Sequence, residues 1–427
     1  MKNKLITVIE YEKISAKSLE SKFGEEGNFY FQEIKNNLFK IGSFAENNEK
    51  ENKINLFWEF GYNRFGIEYL KFKNYIGTIM FKNGIQIEIL PKIYNKNEDE
   101  YLNISEAKDV FKKMLESLMN FKHMSFNTSS QDSSKMDIYD IFVLIYLNNI
   151  RELIKKGIKN TYHEVESNQN YIKGKLLIKE QINKNLINKN KFYIKYDSYN
   201  SNKPENKIIK SVLLKLKKET KNINIKKTIN NLLSYFLDVE SSKNFENDYR
   251  KIIFNKNNFY YKDIIEWSII FLRNNSFINF SGNHNVKALL FNMHFLFESY
   301  ISKIIEKTGH KKNYKTKFQD KSHWLFAHNK VPLRPDIVVN KSEKTYVIDV
   351  KWKTIEKESD ISQSDFYQIF AYNAQYKSEK SYLIYPKYKN INNFRFFSSS
   401  DNNKLVLEII FFDLTNDPFK EIENLFL

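Results

Sequence analysis

The chain has 427 residues, 41% hydrophobic and 16% aromatic, enough apolar material for two or three domains with their own cores and too much for a disordered chain. It has no cysteine, which excludes disulfides, thiolate zinc sites and cysteine nucleophiles and fits a reducing cytoplasm. Its net charge of +17 favours an anionic partner, nucleic acid first, yet only six of the 68 basic residues are Arg, and the wealth of Lys, Asn, Ile, Tyr and Phe is also what AT-rich codon usage produces.

The N-terminus, MKNKLITVIEYEKIS, lacks the apolar core and small-residue cleavage site of a signal peptide. The longest apolar run, Ile141 to Leu147, is far short of the ~20 residues that span a bilayer. A cytoplasmic protein without a membrane segment is expected.

Residues 1–104 read as a β-rich domain. Strands are expected at Leu5 to Tyr11 and Phe39 to Gly42. The clearest signal is a hairpin, Tyr75 to Phe81 and Ile85 to Leu90, turning at Asn83-Gly84, two residues that tolerate positive φ. Ile85, Ile87 and Ile89 alternate with Gln86, Glu88 and Leu90, so one face should be apolar and the other mostly polar. Residues 105–284 read as a helical middle domain. Val110, Phe111, Met114, Leu115, Leu118 and Met119 form one stripe, and helices are expected at Ile138 to Lys156, Asn206 to Lys218, Ile225 to Leu237 and Tyr261 to Arg273. The polar stretches Asn127 to Lys135 and Asn183 to Lys191 read as loops. Residues 285–427 read as a mixed α/β layer. A helix from Leu289 to Lys307 precedes strands at Trp324 to Ala327, Leu333 to Val339 and Thr345 to Lys351. A helix at Ser362 to Tyr376 and strands at Ser381 to Tyr385 and Leu405 to Asp413 follow. The whole is a multidomain α+β chain.

The chemistry-bearing segment is Arg334-Pro335-Asp336-Ile337-Val338-Val339, then Tyr346-Val347-Ile348-Asp349-Val350-Lys351. In the second strand Val347, Asp349 and Lys351 point to one side and Tyr346, Ile348 and Val350 to the other. A carboxylate and an ammonium thus lie side by side on an otherwise apolar strand, and an antiparallel neighbour can carry Asp336 to the same place. Charged groups are rarely buried without a partner or metal. Two carboxylates with an open coordination sphere suit Mg²⁺, with Mn²⁺ as a substitute. Such a set can hydrolyse a phosphodiester, with Lys351 orienting the water and stabilising developing charge. By D-x-K spacing alone, a surface Asp–Lys pair on an edge strand reads the same. The preceding Pro-Asp, the apolar strands and the flanking helices favour a site.

This pattern resembles the PD-(D/E)xK nuclease superfamily. The resemblance implies a restriction-endonuclease-like domain in which Asp336, Asp349 and the main-chain carbonyl of Val350 bind metal and Lys351 is catalytic. It gives Glu298, on the helix before the strands, a direct or water-mediated metal contact, and Gln368, on the helix after them, a place at the site. Tyr367 and Tyr372 beside it read as packing residues. The phrases LRPDIVV, YVIDVKWK and SDFYQIFAY are similar to the McrC family, the nuclease subunit of McrBC-type modification-dependent restriction systems. Gly77-Thr78-Ile79 through Ile87-Glu88-Ile89-Leu90-Pro91-Lys92-Ile93 resembles that family's N-terminal hairpin, and Tyr171-Ile172-Lys173-Gly174-Lys175-Leu176 its middle, with Lys173 where relatives often have arginine. The resemblance implies a subunit that docks through its N-terminal region onto a McrB-like AAA+ GTPase, stimulates its hydrolysis, and cuts double-stranded DNA of the 5-methylcytosine type in a hetero-oligomer. The chain itself has no G-x-x-x-x-G-K-S/T phosphate loop.

Lys311, Lys312, Lys315 and Lys317, interleaved with Tyr314 and Phe318, read either as a DNA-backbone contact or as a solvated loop. Asn83-Gly84 reads as a partner-docking turn or as an ordinary one. His294, His310, His323 and His328 have no zinc spacing and read as packing or surface residues. Two other functions fit part of the sequence: a non-catalytic adaptor that stimulates an AAA+ partner, and a free-standing DNA-repair nuclease.

Overall fold

The computed structural model describes residues 4–47, 57–81, 83–93, 100–117, 136–273, 286–326, 331–388, 391–397, 405–423 and 425. Contacts group the chain into two units, Met1–Tyr139 with Ser276–Leu427, and Asp140–Asn275. Of the three stretches expected from sequence, the first and the last therefore fall largely into one unit.

The first stretch runs β1 (Lys4–Ile9), β2 (Lys13–Ile14), α1 (Ala16–Phe23), α2 (Glu26–Asn47), β3 (Trp58–Tyr62), β4 (Glu68–Phe72), β5 (Tyr75–Phe81), β6 (Ile85–Leu90) and α3 (Glu100–Ser117). β5 and β6 form the expected hairpin, with Gly84 at φ +83°, and β1 pairs parallel to β6. β2, β4 and β3 make a small separate sheet. Phe39 to Gly42, expected as a strand, lies inside α2. Phe31, Ile34 and Leu38 are buried at helical spacing, and that stripe outweighs a short β-prone run with no turn beside it. The expected polar face of β6 is also corrected. Gln86 and Glu88 are both buried. Helix α3 covers this face: Lys108 Nζ lies 3.0 Å from a Glu88 carboxylate oxygen, whose other oxygen accepts the Ile138 N–H at 2.6 Å. Lys108 also donates to the Met136 carbonyl at 2.9 Å. Of the α3 stripe, Val110, Phe111, Met114 and Leu115 are buried as expected, while Leu118 and Met119 lie outside the described residues, as do Asn127 to Lys135.

The middle unit follows helix α4 (Ile138–Lys156) with β7 (Thr161–Gln169), β8 (Lys175–Leu176), α5 (Ile178–Asn185), β9 (Phe192–Asn200), α6 (Pro204–Glu219), α7 (Ile223–Leu233), α8 (Phe245–Arg250) and α9 (Lys262–Arg273). The four expected helices are present, and Ile209, Val212, Leu213, Leu216, Ile265 and Phe271 are buried in their core. The expectation of a helical middle is corrected by an antiparallel sheet among its helices, β7-β9-β8. β7 has the sequence TYHEVESNQ and alternates half-buried with exposed residues, so no apolar face announces it. Its ladder with β9 holds it, from Thr161 opposite Asn200 to Gln169 opposite Phe192. Asn183 to Asn185, expected in a loop, end α5, and Asn185 is buried among Asn168, Gln181 and the Lys191 carbonyl.

The last stretch runs β10 (Val286–Asn292), α10 (Met293–Lys312), β11 (Lys315–Phe318), β12 (Ile337–Lys341), β13 (Lys344–Val350), α11 (Gln363–Tyr376), β14 (Lys380–Pro386), β15 (Phe394–Phe397), β16 (Val406–Phe412) and α12 (Pro418–Glu423). Leu289 to Asn292, expected to be helical, belong to β10, which pairs antiparallel with β5. The helix begins only after Asn292, whose side chain caps it by accepting the Phe295 N–H at 3.2 Å. At Gly77 (φ +136°) the strands come so close that a Cβ would lie 1.9 Å from the Leu289 carbonyl oxygen. The six-stranded sheet has the order β11-β12-β13-β14-β16-β15, antiparallel at both ends and parallel from β13 to β16. Ile369, Tyr372 and Tyr376 of α11 pack with Val338, Val347, Leu383 and Ile409 on one face. On α10, Phe297 meets Trp352 and Phe412, residues of the other parity. Trp324 makes only an isolated bridge to Pro332, and β12 starts at Ile337, not at Leu333. No helix among the described residues is long and apolar enough to cross a membrane.

Candidate metal-dependent site

The site stands at the end of the β12–β13 hairpin, where the sheet face under α11 runs out of apolar residues. Ile337 pairs with Ile348 and Val338 with Val347, so continuing the register sets Asp336 opposite Asp349. Pro335 and the chain before it are outside the strand, which leaves the Asp336 carboxylate free to turn inward. Its Oδ2 accepts the Val350 N–H at 2.8 Å. Asp349 is 1% exposed. Lys351 Nζ stands 2.7 Å from Asp349 Oδ2, so the buried carboxylate is ion-paired to the lysine. The backbone at Lys351 is anchored by its N–H to the Ile384 carbonyl at 2.9 Å.

These neighbours perturb one another's protonation. Burial, then the facing Asp336, pushes Asp349 up to about 7 despite Lys351. Burial also raises Asp336, against the lowering effect of the Val350 N–H and Lys351. Burial alone would lower the Lys351 ammonium, but Asp349 outweighs it with help from Asp336, and the pKa lies above that of an ordinary lysine. The lysine stays charged at neutral pH, while each acid holds its proton more tightly than an isolated carboxyl does.

Glu298 of α10 reaches this cluster through a residue that the sequence did not single out. Gln319 follows β11, and its side-chain Nε2 donates to both Glu298 Oε1 and Asp336 Oδ1, the latter at 3.0 Å. Burial and Asp336 raise Glu298 to about 6. Gln368 is placed one step away: its Nε2 donates to Tyr372 Oη at 2.9 Å, and that hydroxyl donates to the Arg334 carbonyl at 3.1 Å. Tyr372 is thus a buried strut, as expected, whereas Tyr367 is 70% exposed and packs little. Two further groups carried no sequence signal. Lys353 Nζ binds both oxygens of the buried Asp365, at 2.9 and 2.7 Å, and Tyr385 donates to the same carboxylate at 2.8 Å. Glu10, from the end of β1, accepts the Trp352 indole N–H at 3.0 Å.

The four basic-loop residues do not act as one patch. Lys311 sits over the Phe419 ring and Lys312 pairs with Glu423, whereas Lys315 and Lys317 are exposed on the edge strand β11. At the turn, Asn83 donates to Glu33 of α2 at 2.8 Å and accepts the Ile85 N–H at 3.2 Å, so both residues of the turn are half-buried. His294 accepts the Trp352 N–H at 3.4 Å, His323 packs on Tyr376 and His310 is exposed; His328 lies outside the described residues.

Among the described residues no group of three or more His, Asp or Glu side chains is arranged to hold a metal ion. The set that fits one is smaller: hard carboxylate oxygens at Asp336 and the buried Asp349, with the Val350 carbonyl and water to complete it.

Comparison with solved structures finds a chain of "Refined half-complex from tetradecameric assembly of Thermococcus gammatolerans McrB AAA+ hexamers with bound McrC" at a TM-score of 0.67 and 17% identity, covering 99% of this chain and 98% of that one. A chain of "Cryo-EM structure of the Thermococcus gammatolerans McrBC complex" aligns at a TM-score of 0.48 and 17% identity, over 71% of this chain and 88% of that one. At these identities the first likeness speaks for the fold alone. Comparison with curated proteins found no match. The family described as McrBC 5-methylcytosine restriction system component matches residues 70–386, well over half of the chain. The chain belongs to this McrBC family.

Proposed function

We propose that the chain is the DNA endonuclease subunit of a 5-methylcytosine-type restriction system, with a PD-(D/E)xK site at Asp336, Asp349 and Lys351. The observation that carries this reading is the pairing of two inward carboxylates beside a charged lysine at the end of one hairpin. Asp336, Asp349 and the Val350 carbonyl would hold Mg²⁺, or Mn²⁺ in its place. When bound, such an ion neutralises charge on the scissile phosphate and acidifies water. Lys351 keeps its proton and donates to the oxygen on which negative charge develops. Glu298 would contact the ion directly or through water, and Gln368 with Tyr372 would fix the segment that leads into the site.

Family membership supports a restriction role, and the likeness to a chain of an assembly of McrB AAA+ hexamers with bound McrC supports a hetero-oligomer with a McrB-like AAA+ partner. A GTP-hydrolysing partner and double-stranded DNA as substrate are part of the same proposal. Exposed Lys315 and Lys317 would add only sequence-independent phosphate contact, so recognition falls to the partner. The test is cleavage of methylated and unmethylated plasmid by the chain with its partner and GTP. Asp349→Asn and Lys351→Ala should each lower cutting at least about a hundredfold and still stimulate the partner's GTP hydrolysis. Full cutting by either variant, or in a chelator, would remove the site. Cutting by the chain alone without nucleotide would favour a free-standing nuclease.

A further inference from the structure

Glu298 and Asp336 are neighbours that repel when both are ionised, and between them lies the amide of Gln319 rather than a cation. An amide NH₂ has two hydrogens, and here each goes to a different carboxylate. The group thus brings two positive ends to the gap without a net charge. Its anchor is firm. The Gln319 N–H donates to the Asp336 carbonyl at 2.9 Å, and the backbone is left-handed at φ +48°, a conformation that costs a side-chain-bearing residue energy. A second observation concerns the same cluster: directly across the hairpin from Asp336, Asp349 is 1% exposed, and its carboxylate is balanced by the Lys351 ammonium 2.7 Å from Oδ2, with no cation among the described residues on the side that faces Asp336.

We propose that the Gln319 amide is a stand-in for the metal ion: it bridges Glu298 and Asp336 in the metal-free chain and is displaced when a divalent cation enters. This rests on the metal-site reading above. It explains why Glu298 is not gathered with Asp336 and Asp349 into a three-carboxylate set, since an amide fills the space between them. It also makes a directional claim. A ligand must break two charge-assisted hydrogen bonds to enter, so the glutamine weakens metal binding while holding the empty site together. A plain strut, which merely positions the acids for the metal, would act in the opposite direction.

The experiment is calorimetric titration of the full chain with Mn²⁺, paired with thermal melts with and without Mn²⁺. Gln319→Leu keeps the bulk and removes both donors. It should bind Mn²⁺ about tenfold tighter than the wild type and melt lower when metal-free. Gln319→Lys puts a permanent cation in the gap; it should melt higher when metal-free and lose at least about tenfold in Mn²⁺ affinity. Wild-type binding with equal or weaker binding by Gln319→Leu overturns the stand-in and leaves the metal site standing. Failure of wild type and both variants to bind Mn²⁺ overturns the metal site and the stand-in together.

Discussion

Glu10 is a fully buried carboxylate whose contact with the site is a single hydrogen bond, to the indole beside Lys351. Burial pushes its pKa from 4.5 up to about 7, even though Trp352 and the main chain at Asn74 and Lys92 pull it down. An acid whose pKa is higher in the folded chain holds an extra proton there between the two values. Folding stability therefore falls as pH rises from 4.5 to about 7, is fully penalised above that, and carries no penalty below 4.5. At ~1.4 kcal/mol per pH unit the full penalty is about 3 kcal/mol. Glu10→Gln removes the charge and can place its amide NH₂ at the carboxylate oxygen that has no hydrogen-bond partner, at a cost of about 1 kcal/mol. The variant should thus be about 2 kcal/mol more stable than wild type at pH 8 and indistinguishable from it at pH 5. Scanning calorimetry at both pH values reads this as a higher melting temperature for the variant only at pH 8. An equal difference at both pH values, or a less stable variant at pH 8, would refute the assignment of the buried charge to Glu10.

Removing Lys108 should strand Glu88. Lys108→Met is expected to cost roughly 3 kcal/mol in urea unfolding, and adding Glu88→Gln should recover a large part of it, because the lone buried charge is worse than no pair. Gly77→Val puts a side chain into the Leu289 carbonyl and should cost at least about 2 kcal/mol, with faster amide exchange across residues 286–292 as its signature. Asn83→Ala should cost about 1 kcal/mol through the lost bond to Glu33. If the turn also meets the partner, the same change lowers stimulation of GTP hydrolysis; unchanged stimulation places docking elsewhere.

Strong local signals carried the hairpin at β5 and β6 and the helix from Ile138 to Lys156, which match the structure to the residue. The hairpin that holds Asp336 and Asp349 was legible in part: two apolar β-prone runs and the parity of Asp349 and Lys351 gave the strands and the side, while the register came only with the pairing of Ile337 and Ile348. Failures came where burial contradicts alternation. Glu88 looks like a solvent-facing residue because nothing nearby in sequence names Lys108 as its cover. β10 is apolar enough to look like the first turn of α10, and only its pairing with a strand more than two hundred residues earlier decides it. Gln319 was illegible because a lone glutamine after a short strand has no spacing to betray it. Its meaning lies in the two acids that the fold carries to its amide.

The position of β10 also sets a clock for the ribosome. β5 ends at Phe81, but its antiparallel neighbour is complete only at Asn292, a further 211 residues along the chain. At about 5–20 residues per second that interval is roughly 10–40 s. During it the nascent N-terminal sheet exposes one edge of β5, a buried strand with the sequence YIGTIMF and no charge on it. The intervening unit, Asp140–Asn275, can close its own core while that edge waits. A chain stalled or truncated before β10 is therefore expected to be sticky rather than merely incomplete. Excising the last stretch at residue 285 to obtain a free-standing nuclease domain would leave β10 as a strand without its sheet.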